Sequence, residues 1–529
     1  MGPADGSQDP YLYVPSEDSG HYTPKACQRY IALSYCWGSH LWAERSTPIL
    51  TASSLETMKT AIRMTDLPQT IHDAVVITRR LGIRYLWVDA LCILQGSDAK
   101  AKADWERESS RMATTYGNAF LTVAAASARS VHEGIFSDRK CLKKQIALKV
   151  SSANYESVDN HVYVQHSTTL RDCLDEPLYH RGWTLQERML SPRVLIFTCD
   201  QLVWNCQTEN TIETGVTLHA LGQQRLRTED ILRNGGALKS FWHAVVREYS
   251  RRILTDPTDK LPALSGMAAA LHQRTGDKYL AGLWERSILH DLLWMNRASS
   301  RGTGDQVEPS RPPHYRAPSW SWASVDGDIR LPRSLNPSAS WFARCLSYHV
   351  TTSGIDNFGA VSDGWIRLRG PLVQVLKVGL DCGSKLMVLA GRDRNLSVGL
   401  GHATLDAGEV AIAKCKPESS EGFADVWVLR ITERAGLVLE AVHDSSSLSA
   451  WTATVFASKV FTKGLASITV QRLQDGVKHL PWITPPTFTY VPPIRSPVPR
   501  RFRRLGLVEF DMVGMGRSVD WERQTVTIL

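Results

Sequence analysis

The chain has 529 residues, of which 43% are hydrophobic and 22% are charged. Both fractions are ordinary for globular proteins, so the composition excludes a largely disordered chain, a collagen-like repeat and a coiled-coil rod. The formal net charge of +8 is small for this length, and much of it comes from an arginine cluster near the C-terminus, formed by Arg495, Arg500, Arg501, Arg503 and Arg504.

The arginine cluster follows a Pro-rich stretch. Such a cluster is typical either of a nucleic-acid, membrane or nuclear-import patch or of a solvated basic turn. Because no RNA-binding signature, zinc-finger spacing or basic helix accompanies it, we predict the solvated turn and no nucleic-acid partner.

The cysteines and the N-terminus indicate the compartment. The ten cysteines are scattered and form no C-x-x-C pair, which predicts buried free thiols and no metal site. The N-terminal residues are polar and acidic, unlike a signal peptide. No run of about 18 apolar residues occurs, so we expect no membrane span. Together these features predict a cytoplasmic protein.

After a polar lead-in over residues 1–29, the segment 30–206 alternates between strand and helix patterns, as in an α/β domain. The apolar residues Tyr30–Leu33 predict a strand that ends in the sequence SYCWG. Asp66 and Pro68 suit the start of a helix, with Asp66 as the capping residue.

The same alternation continues along this domain. Helical spacing predicts a helix that ends at Gly82. Residues 83–88 predict a strand with Asp89 at its C-terminal end. An amphipathic helix over 104–119 then precedes a continuous apolar run over 120–127, which is typical of a buried parallel strand.

Three further regions follow. Residues 207–345 predict a mainly helical extension, and residues 346–480 predict a β-rich C-terminal domain that includes a strand at 459–473. Residues 481–529 form a Pro/Arg-rich stretch and a C-terminal segment. Within the extension, Trp320 and Trp322 alternate as on one face of a strand, so we expect both in a core.

The first candidate site is the SYCWG sequence, which contains Ser34, Tyr35, Trp37 and Gly38. Ligands of open α/β sheets bind at the carboxyl edge of the strands, where these hydroxyls and the indole could hold a nucleotide. The alternative is a tight strand exit packed by an aromatic pair. No glycine-rich phosphate loop is present to decide between them.

The second candidate is Asp89, which is placed to contact a ribose hydroxyl or to take part in catalysis, or else to cap the following turn. Cys92 lies in the same segment. A cysteine nucleophile needs a nearby histidine base, and neither this segment nor SYCWG contains one. A buried structural thiol is therefore the favoured interpretation of Cys92.

The third candidate is Glu187, which lies four residues after Trp183 and so shares a helix face with it. An acid beside an aromatic ring is partly desolvated, which raises its pKa and suits proton or oxocarbenium chemistry. The alternative is a structural ion pair between Glu187 and either Arg181 or Arg188.

Several long blocks together resemble the fungal heterokaryon incompatibility (HET) domain over residues 30–206, about a third of the chain. The matching blocks are YIALSYCWG, LPQTIHDAVVITRRLGIRYLWVDALCILQ, DWERESSRMATTYGNAFLTVAAASA, GIF and YHRGWTLQERMLSPRVLIF. Downstream, DKLPALSGMA, YLAGLWERSILHDLLW and YRAPSWSWASVDG are similar to the usual C-terminal extension of HET-domain proteins.

This resemblance implies an intracellular cell-death effector of fungal allorecognition. HET domains are distantly similar to TIR domains, which implies an open, mostly parallel sheet flanked by helices. TIR enzymes are NAD glycohydrolases: they cleave the nicotinamide–ribose bond of NAD, here a substrate rather than a bound cofactor. Carried over, Glu187 would contact the nicotinamide ribose as the catalytic residue. Trp183 would accompany it, and the nucleotide pocket would be lined by Ser34, Tyr35, Trp37, Gly38 and Asp89.

Two other functions remain open. In the first, the HET domain is a non-catalytic signalling module that self-associates or binds an allorecognition partner protein, and its tryptophans form packing and interface surfaces. In the second, Cys36 or Cys92 is the nucleophile of a cysteine hydrolase.

Overall fold

The structure is a computed structural model, and it describes the chain in separate stretches. These are residues 8–14, 29–38, 48–136, 146–149, 161–164, 176–213, 235–297, 299–300, 306–307, 309–331, 340–374, 377–380, 386–390, 398–405, 426–442, 501–510 and 521–529. The chain divides into two compact units. The first comprises Met1–Ala339, His349–Gly364 and Thr404–Glu409, and the second comprises Ser340–Tyr348, Trp365–Ala403 and Val410–Leu529.

The N-terminal part of the first unit is built on a six-stranded sheet. The sheet contains, in chain order, β1 (Tyr30–Ser34), β2 (Tyr85–Trp87), β3 (Leu121–Ala125), β6 (Arg193–Phe197), β7 (Leu202–Cys206) and β8 (Asn210–Ile212). Between β3 and β6 in the chain, β4 (Ile146–Lys149) and β5 (His161–Val164) form a separate antiparallel pair. The sheet order is β2-β1-β3-β6-β7-β8. The first four strands are parallel and the last two antiparallel, which confirms a mixed α/β domain with a parallel-rich sheet.

The helices of the first unit are α1 (Leu55–Thr60), α2 (Gln69–Arg80), α3 (Asp89–Cys92), α4 (Ala99–Asn118), α5 (Trp183–Leu190), α6 (Gly235–Tyr249), α7 (Pro262–Thr275) and α8 (Ile288–Asp291). Within the described stretches, none of the helices combines the length and hydrophobicity that crossing a bilayer requires.

The start of α2 differs from the prediction that Asp66 caps it. Pro68 is the residue that precedes the helix, and Asp66 instead ends a short 3₁₀ turn, Met64–Asp66. The Asp66 carboxylate pairs with Arg63 at 2.8 Å. Because the Asp66 carboxylate binds Arg63 within this turn, it is not available to the first N–H groups of α2.

Alternation along β1 decides which side chains reach each face of the sheet. Ile31 and Leu33 belong to the large core cluster that includes Ile71 of α2. Ala32 belongs to the opposite cluster, with Tyr116 of α4. Since successive strand residues point to opposite faces, a residue two positions after Ala32 is directed towards α4.

The strand order also defines a switch point. β2 lies on one side of β1, and β3 and β6 lie on the other, so the connection that leaves β1 runs to one side and the connection that leaves its neighbour β3 runs to the other. In open α/β sheets, crevices at such points hold ligands. The end of β1, Ser34, therefore lies where the topology favours a site.

The extension after the sheet is less helical than predicted. Helices α6 and α7 are followed by short strands, β9 (Tyr279–Leu280), β10 (Leu283–Trp284), β11 (Met295–Arg297), β12 (Ser299–Ser300), β13 (Gln306–Val307) and β14 (Asp328–Arg330), with α8 between β10 and β11. The prediction of a helix is wrong at Ala281 and Gly282. These two residues have positive φ angles of 45° and 101°, and they form the turn of the β9–β10 hairpin.

Buried tryptophans organise this extension. Trp242 and Trp322 both donate their indole N–H to the carbonyl of Gly282, each at 2.9 Å. Trp294 donates to the carbonyl of Trp320 at 2.8 Å. The prediction that Trp320 and Trp322 lie in a core is confirmed. The predicted strand is wrong, because Trp322 begins a 3₁₀ turn.

The C-terminal region is β-rich, as predicted. Its sheet contains β15 (Arg344–Thr352), β16 (Val361–Gln374), β17 (Lys377–Leu380), β18 (Leu386–Ala390), β19 (Val398–Leu405), β20 (Val426–Arg430), β21 (Ala435–Ala441), β22 (Arg501–Phe510) and β23 (Glu522–Ile528). The path is β15-β16-β20-β21-β22-β19-β18-β17, and β23 pairs with β16 and β22. The predicted strand at 459–473 lies outside the described residues.

The arginine cluster is not the predicted solvated turn where the structure describes it. Arg501, Arg503 and Arg504 lie on β22. Arg503 pairs with Glu440 of the neighbouring strand β21 at 2.6 Å, and Arg504 is fully buried. Alternation along a strand directs neighbouring side chains to opposite faces, which a sequence count of charges does not reveal.

Candidate functional site at the end of the first strand

A serine and a glutamate meet at the switch point. Ser34 Oγ donates a hydrogen bond of 2.5 Å to Glu187 Oε2, and both side chains are buried. Ser34 is directed to this face because it lies two positions after Ala32 on β1. Glu187 comes from α5, where it is 7% exposed. Residues from two distant sequence blocks thus form one polar contact.

Tyr116 of α4 completes this contact. Its hydroxyl donates to the carbonyl of Leu33 at 3.0 Å and also shares a hydrogen bond with Glu187. A tyrosine hydroxyl has one proton, which can serve only one of these two acceptors at a time. The hydrogen bond with Tyr116 opposes the rise in the pKa of Glu187, so the tyrosine is the donor to the carboxylate in it.

Burial raises the pKa of Glu187 from 4.5 to about 7. The Ser34 hydrogen bond and the Arg181 charge oppose this rise, whereas the negative charge of Asp89 adds to it. A carboxyl with such a pKa exchanges its proton near neutral pH, as a general acid or base requires. The largest cause is removal of the carboxyl from water by burial.

The ion-pair alternatives for Glu187 receive little support. Arg188, on the next position of α5, binds Glu248 at 2.6 Å. Arg181 donates from its guanidinium to the backbone carbonyl of Tyr35. From there its positive charge opposes the rise in the pKa that burial causes at both Glu187 and Asp89.

Asp89 forms the second polar cluster of this edge. Its Oδ1 accepts a hydrogen bond of 2.9 Å from the Tyr35 hydroxyl, and its Oδ2 accepts one of 2.9 Å from the Trp37 indole. The Ala90 N–H also donates to Oδ1, at 2.7 Å, and Asp89 is the first residue of α3. Burial raises the pKa of Asp89.

Gly38 and Trp183 lie around these two clusters. Gly38 has a φ of +93°, and a Cβ atom there would lie 2.8 Å from the Cβ of Ser130, so this turn favours glycine. The Trp183 ring packs edge-on against Trp105, and its indole N–H donates to Asp259 Oδ2 at 2.9 Å. Trp183 thus links α5 to the extension through its polar edge.

Of the two cysteines considered as nucleophiles, Cys36 is buried and Cys92 is partly buried. Burial raises the pKa of Cys36 and of Cys92 to about 11. Since the thiolate is the nucleophile, both groups are unreactive near neutral pH. This favours the structural interpretation over the cysteine hydrolase.

Sequence reasoning missed three participants, Tyr116, Arg181 and Asp259. The sequence places Tyr116 in the predicted amphipathic helix over 104–119 and offers Arg181 as an ion-pair partner, but it indicates neither residue's contacts at this site. A hydroxyl on the buried face of α4 was the available signal, since a buried tyrosine hydroxyl needs a partner. Asp259 lies outside the blocks of the domain, and no local pattern connected it with Trp183.

The fold and these contacts define a mixed α/β domain with one buried acid, Glu187, and one partly buried acid, Asp89, at the switch point of a parallel-rich sheet. Residues 30–187 match the family model described as Heterokaryon incompatibility protein (HET). The chain therefore carries a HET domain, as its sequence blocks predicted, and this domain connects it with heterokaryon incompatibility. No curated protein and no solved structure matches the chain.

Proposed function

We propose that this protein is a cytoplasmic cell-death effector of fungal heterokaryon incompatibility, and that it cleaves the nicotinamide–ribose bond of NAD with Glu187 as the catalytic carboxyl. The observation that carries the proposal is the buried contact between Ser34 and Glu187 at the carboxyl end of β1. A glutamate whose pKa is about 7 can change its protonation state at that point.

The topology supports the TIR-like part of this proposal. The four parallel strands follow the order β2-β1-β3-β6, which is the beginning of the flavodoxin-like order of doubly wound sheets. Such sheets hold nucleotides at the switch point beside the first strand. Ser34, Tyr35 and Asp89 lie at this edge in the present sheet.

In the proposed reaction the bond between the nicotinamide nitrogen and the ribose carbon breaks, and its electron pair leaves with the neutral nicotinamide. The ribose becomes an oxocarbenium-like centre, which ionised Glu187 stabilises by its negative charge. Water then attacks the same carbon and loses one proton to Glu187, which yields ADP-ribose. Ser34 holds the carboxylate, and Tyr35, Trp37 and Asp89 contact the nucleotide.

A second function has one observation in its favour. Glu187 has little exposed surface, and both carboxylate oxygens of Asp89 already accept hydrogen bonds. A satisfied polar network of this kind also gives a core its specific structure. In this alternative the HET domain is a non-catalytic module that causes death by self-association or by binding an allorecognition partner.

Expression in fungal cells separates the two functions. The full chain, Glu187→Gln and a control substitution of the exposed residue Glu106 on α4, Glu106→Gln, are compared for cellular NAD and viability. We expect NAD to fall with the full chain and with Glu106→Gln, and to stay unchanged with Glu187→Gln. Two results would favour the non-catalytic module. One is that the full chain kills cells without changing cellular NAD, and the other is that a folded Glu187→Gln variant still kills cells.

A further inference from the structure

We propose that the extension contains a binding site for one first-row divalent transition-metal ion, formed by His243, His290 and Asp291. His243 lies on α6, and His290 and Asp291 are adjacent on α8. Each residue offers one ligand atom, and these three atoms all lie within 4.8 Å of one another. The cluster lies beyond residues 30–187 and contains none of the residues proposed for NAD cleavage.

The two imidazoles converge on one carboxylate oxygen. His243 Nε2 lies 2.9 Å from Asp291 Oδ1, and His290 Nδ1 lies 3.8 Å from the same atom. The rings are stacked, with centroids 5.2 Å apart and an interplanar angle of 16°. Metal bonds of about 2.0–2.2 Å place neighbouring ligand atoms roughly 3–3.5 Å apart. The ligand atoms, which lie within 4.8 Å of one another, would therefore approach by up to about 1–2 Å, shared between the three side chains, when one ion binds all of them.

The second carboxylate oxygen of Asp291, Oδ2, is held in place by hydrogen bonds. Asp291 Oδ2 accepts hydrogen bonds from Ser287 Oγ at 2.7 Å and from the Trp284 N–H at 3.1 Å. Metal-binding carboxylates are commonly oriented by such outer hydrogen bonds. This arrangement directs Oδ1 towards the two imidazoles.

Charge and burial also favour a cation. Asp291 has no exposed surface, and His243 and His290 are nearly buried. A buried carboxylate in its ionised form is stabilised by a positive charge beside it.

The ligand types select the kind of ion. Two imidazole nitrogens and one carboxylate oxygen suit Zn²⁺, Fe²⁺ or Co²⁺, and three protein ligands leave a position for water. Mg²⁺ and Ca²⁺ prefer sites made of oxygen ligands. Cysteine spacing predicted no metal site, and this cluster uses none of the ten cysteines.

The test is a titration of the metal-free full chain with Co²⁺, followed by visible absorption. We compare His243→Gln and His290→Asn, whose amides keep a hydrogen-bond donor near the original ring nitrogen but ligate poorly. The control is His72→Gln on α2, where a histidine also precedes an aspartate, Asp73, at 3.5 Å. Circular dichroism without metal establishes that each variant is folded.

We expect one equivalent of Co²⁺ with ligand-field bands typical of nitrogen and oxygen ligands, displaced by Zn²⁺. Both cluster variants should weaken binding by at least about tenfold, and His72→Gln should leave it unchanged. Absence of binding would overturn the proposal. So would equal binding by a folded His243→Gln variant, or bands that show thiolate ligation alone, and the cluster would then be a hydrogen-bonded core feature.

Discussion

The Ser34 hydroxyl donates a 2.5 Å hydrogen bond to the carboxylate of Glu187, although 153 positions separate the two residues in the sequence. The contact joins the end of β1 to α5 at the switch point of the sheet. Because Glu187 is buried and its pKa is about 7, small changes around it affect both stability and proton exchange.

We predict that Glu187 makes stability depend on pH. The acid titrates near 4.5 in the unfolded chain and near 7 in the folded one. Between these values the folded state keeps the proton that the unfolded state releases. The free energy of unfolding therefore falls as the pH rises through this range, by up to about 3 kcal/mol.

Urea unfolding of the wild type and of Glu187→Gln at about pH 5 and about pH 8 tests this prediction. The comparison is needed because burial also raises the pKa of Asp259, to about 6. Asp259 titrates in both proteins, so their difference isolates Glu187. A difference in stability that is the same at both pH values would contradict the raised pKa of Glu187.

Ser34→Ala should destabilise the protein by about 1–3 kcal/mol, because a buried carboxylate loses a donor. It should also raise the pKa of Glu187 further, since this hydrogen bond opposes the effect of burial. Ser109→Ala is the control, because Ser109 bonds only locally, to the Glu106 carbonyl of its own helix. Equal urea midpoints for the two variants would argue against the Ser34–Glu187 contact.

Trp183→Phe should cost about 1–3 kcal/mol, because it keeps an aromatic ring against Trp105 but loses the N–H that binds Asp259. The pKa of Asp259, already raised by burial, should rise further. A double-mutant cycle with Asp259→Asn measures the coupling. Additive effects of the two substitutions would mean that the hydrogen bond contributes nothing.

Gly266→Ala should destabilise the contact between α7 and the HET helices. A Cβ atom at Gly266 would overlap the Cβ of Ala113 on α4 and approach Gln186 Oε1 at 2.9 Å. Overpacking of this kind costs about 1–3 kcal/mol. The control is Gly117→Ala. Gly117 lies on α4, and a Cβ atom there would have the Leu190 carbonyl oxygen as its nearest neighbour, at 4.0 Å. Thermal unfolding should separate the variants, and equal midpoints would contradict close packing at Gly266.

Elements with strong local periodicity were predictable from the sequence. The helix that precedes Gly82 became α2, and the continuous apolar run became β3, a buried parallel strand. The end of β1 was also predictable, because apolar residues give way there to SYCWG. In each case one local pattern decides the structure.

Features that depend on tertiary contacts were not predictable in this way. Trp320 and Trp322 alternate as in a strand, but the Trp320 carbonyl accepts from the distant Trp294 and the Trp322 indole donates to the distant Gly282, and the two residues lie in a turn. Arg504 is buried by a sheet whose strands are far apart in the sequence. Tyr116 shares a helix face with apolar residues, and its hydrogen bonds depend on where β1 and α5 lie.

The central claim is that Glu187 cleaves NAD, and the most direct measurement is nicotinamide release from NAD by the purified full chain. We predict that nicotinamide and ADP-ribose form in equal amounts, and that Glu187→Gln lowers the rate by about 100-fold or more while Glu106→Gln leaves it unchanged. Release by Glu187→Gln at the wild-type rate, or no release by a wild-type protein that still kills cells, would contradict the claim.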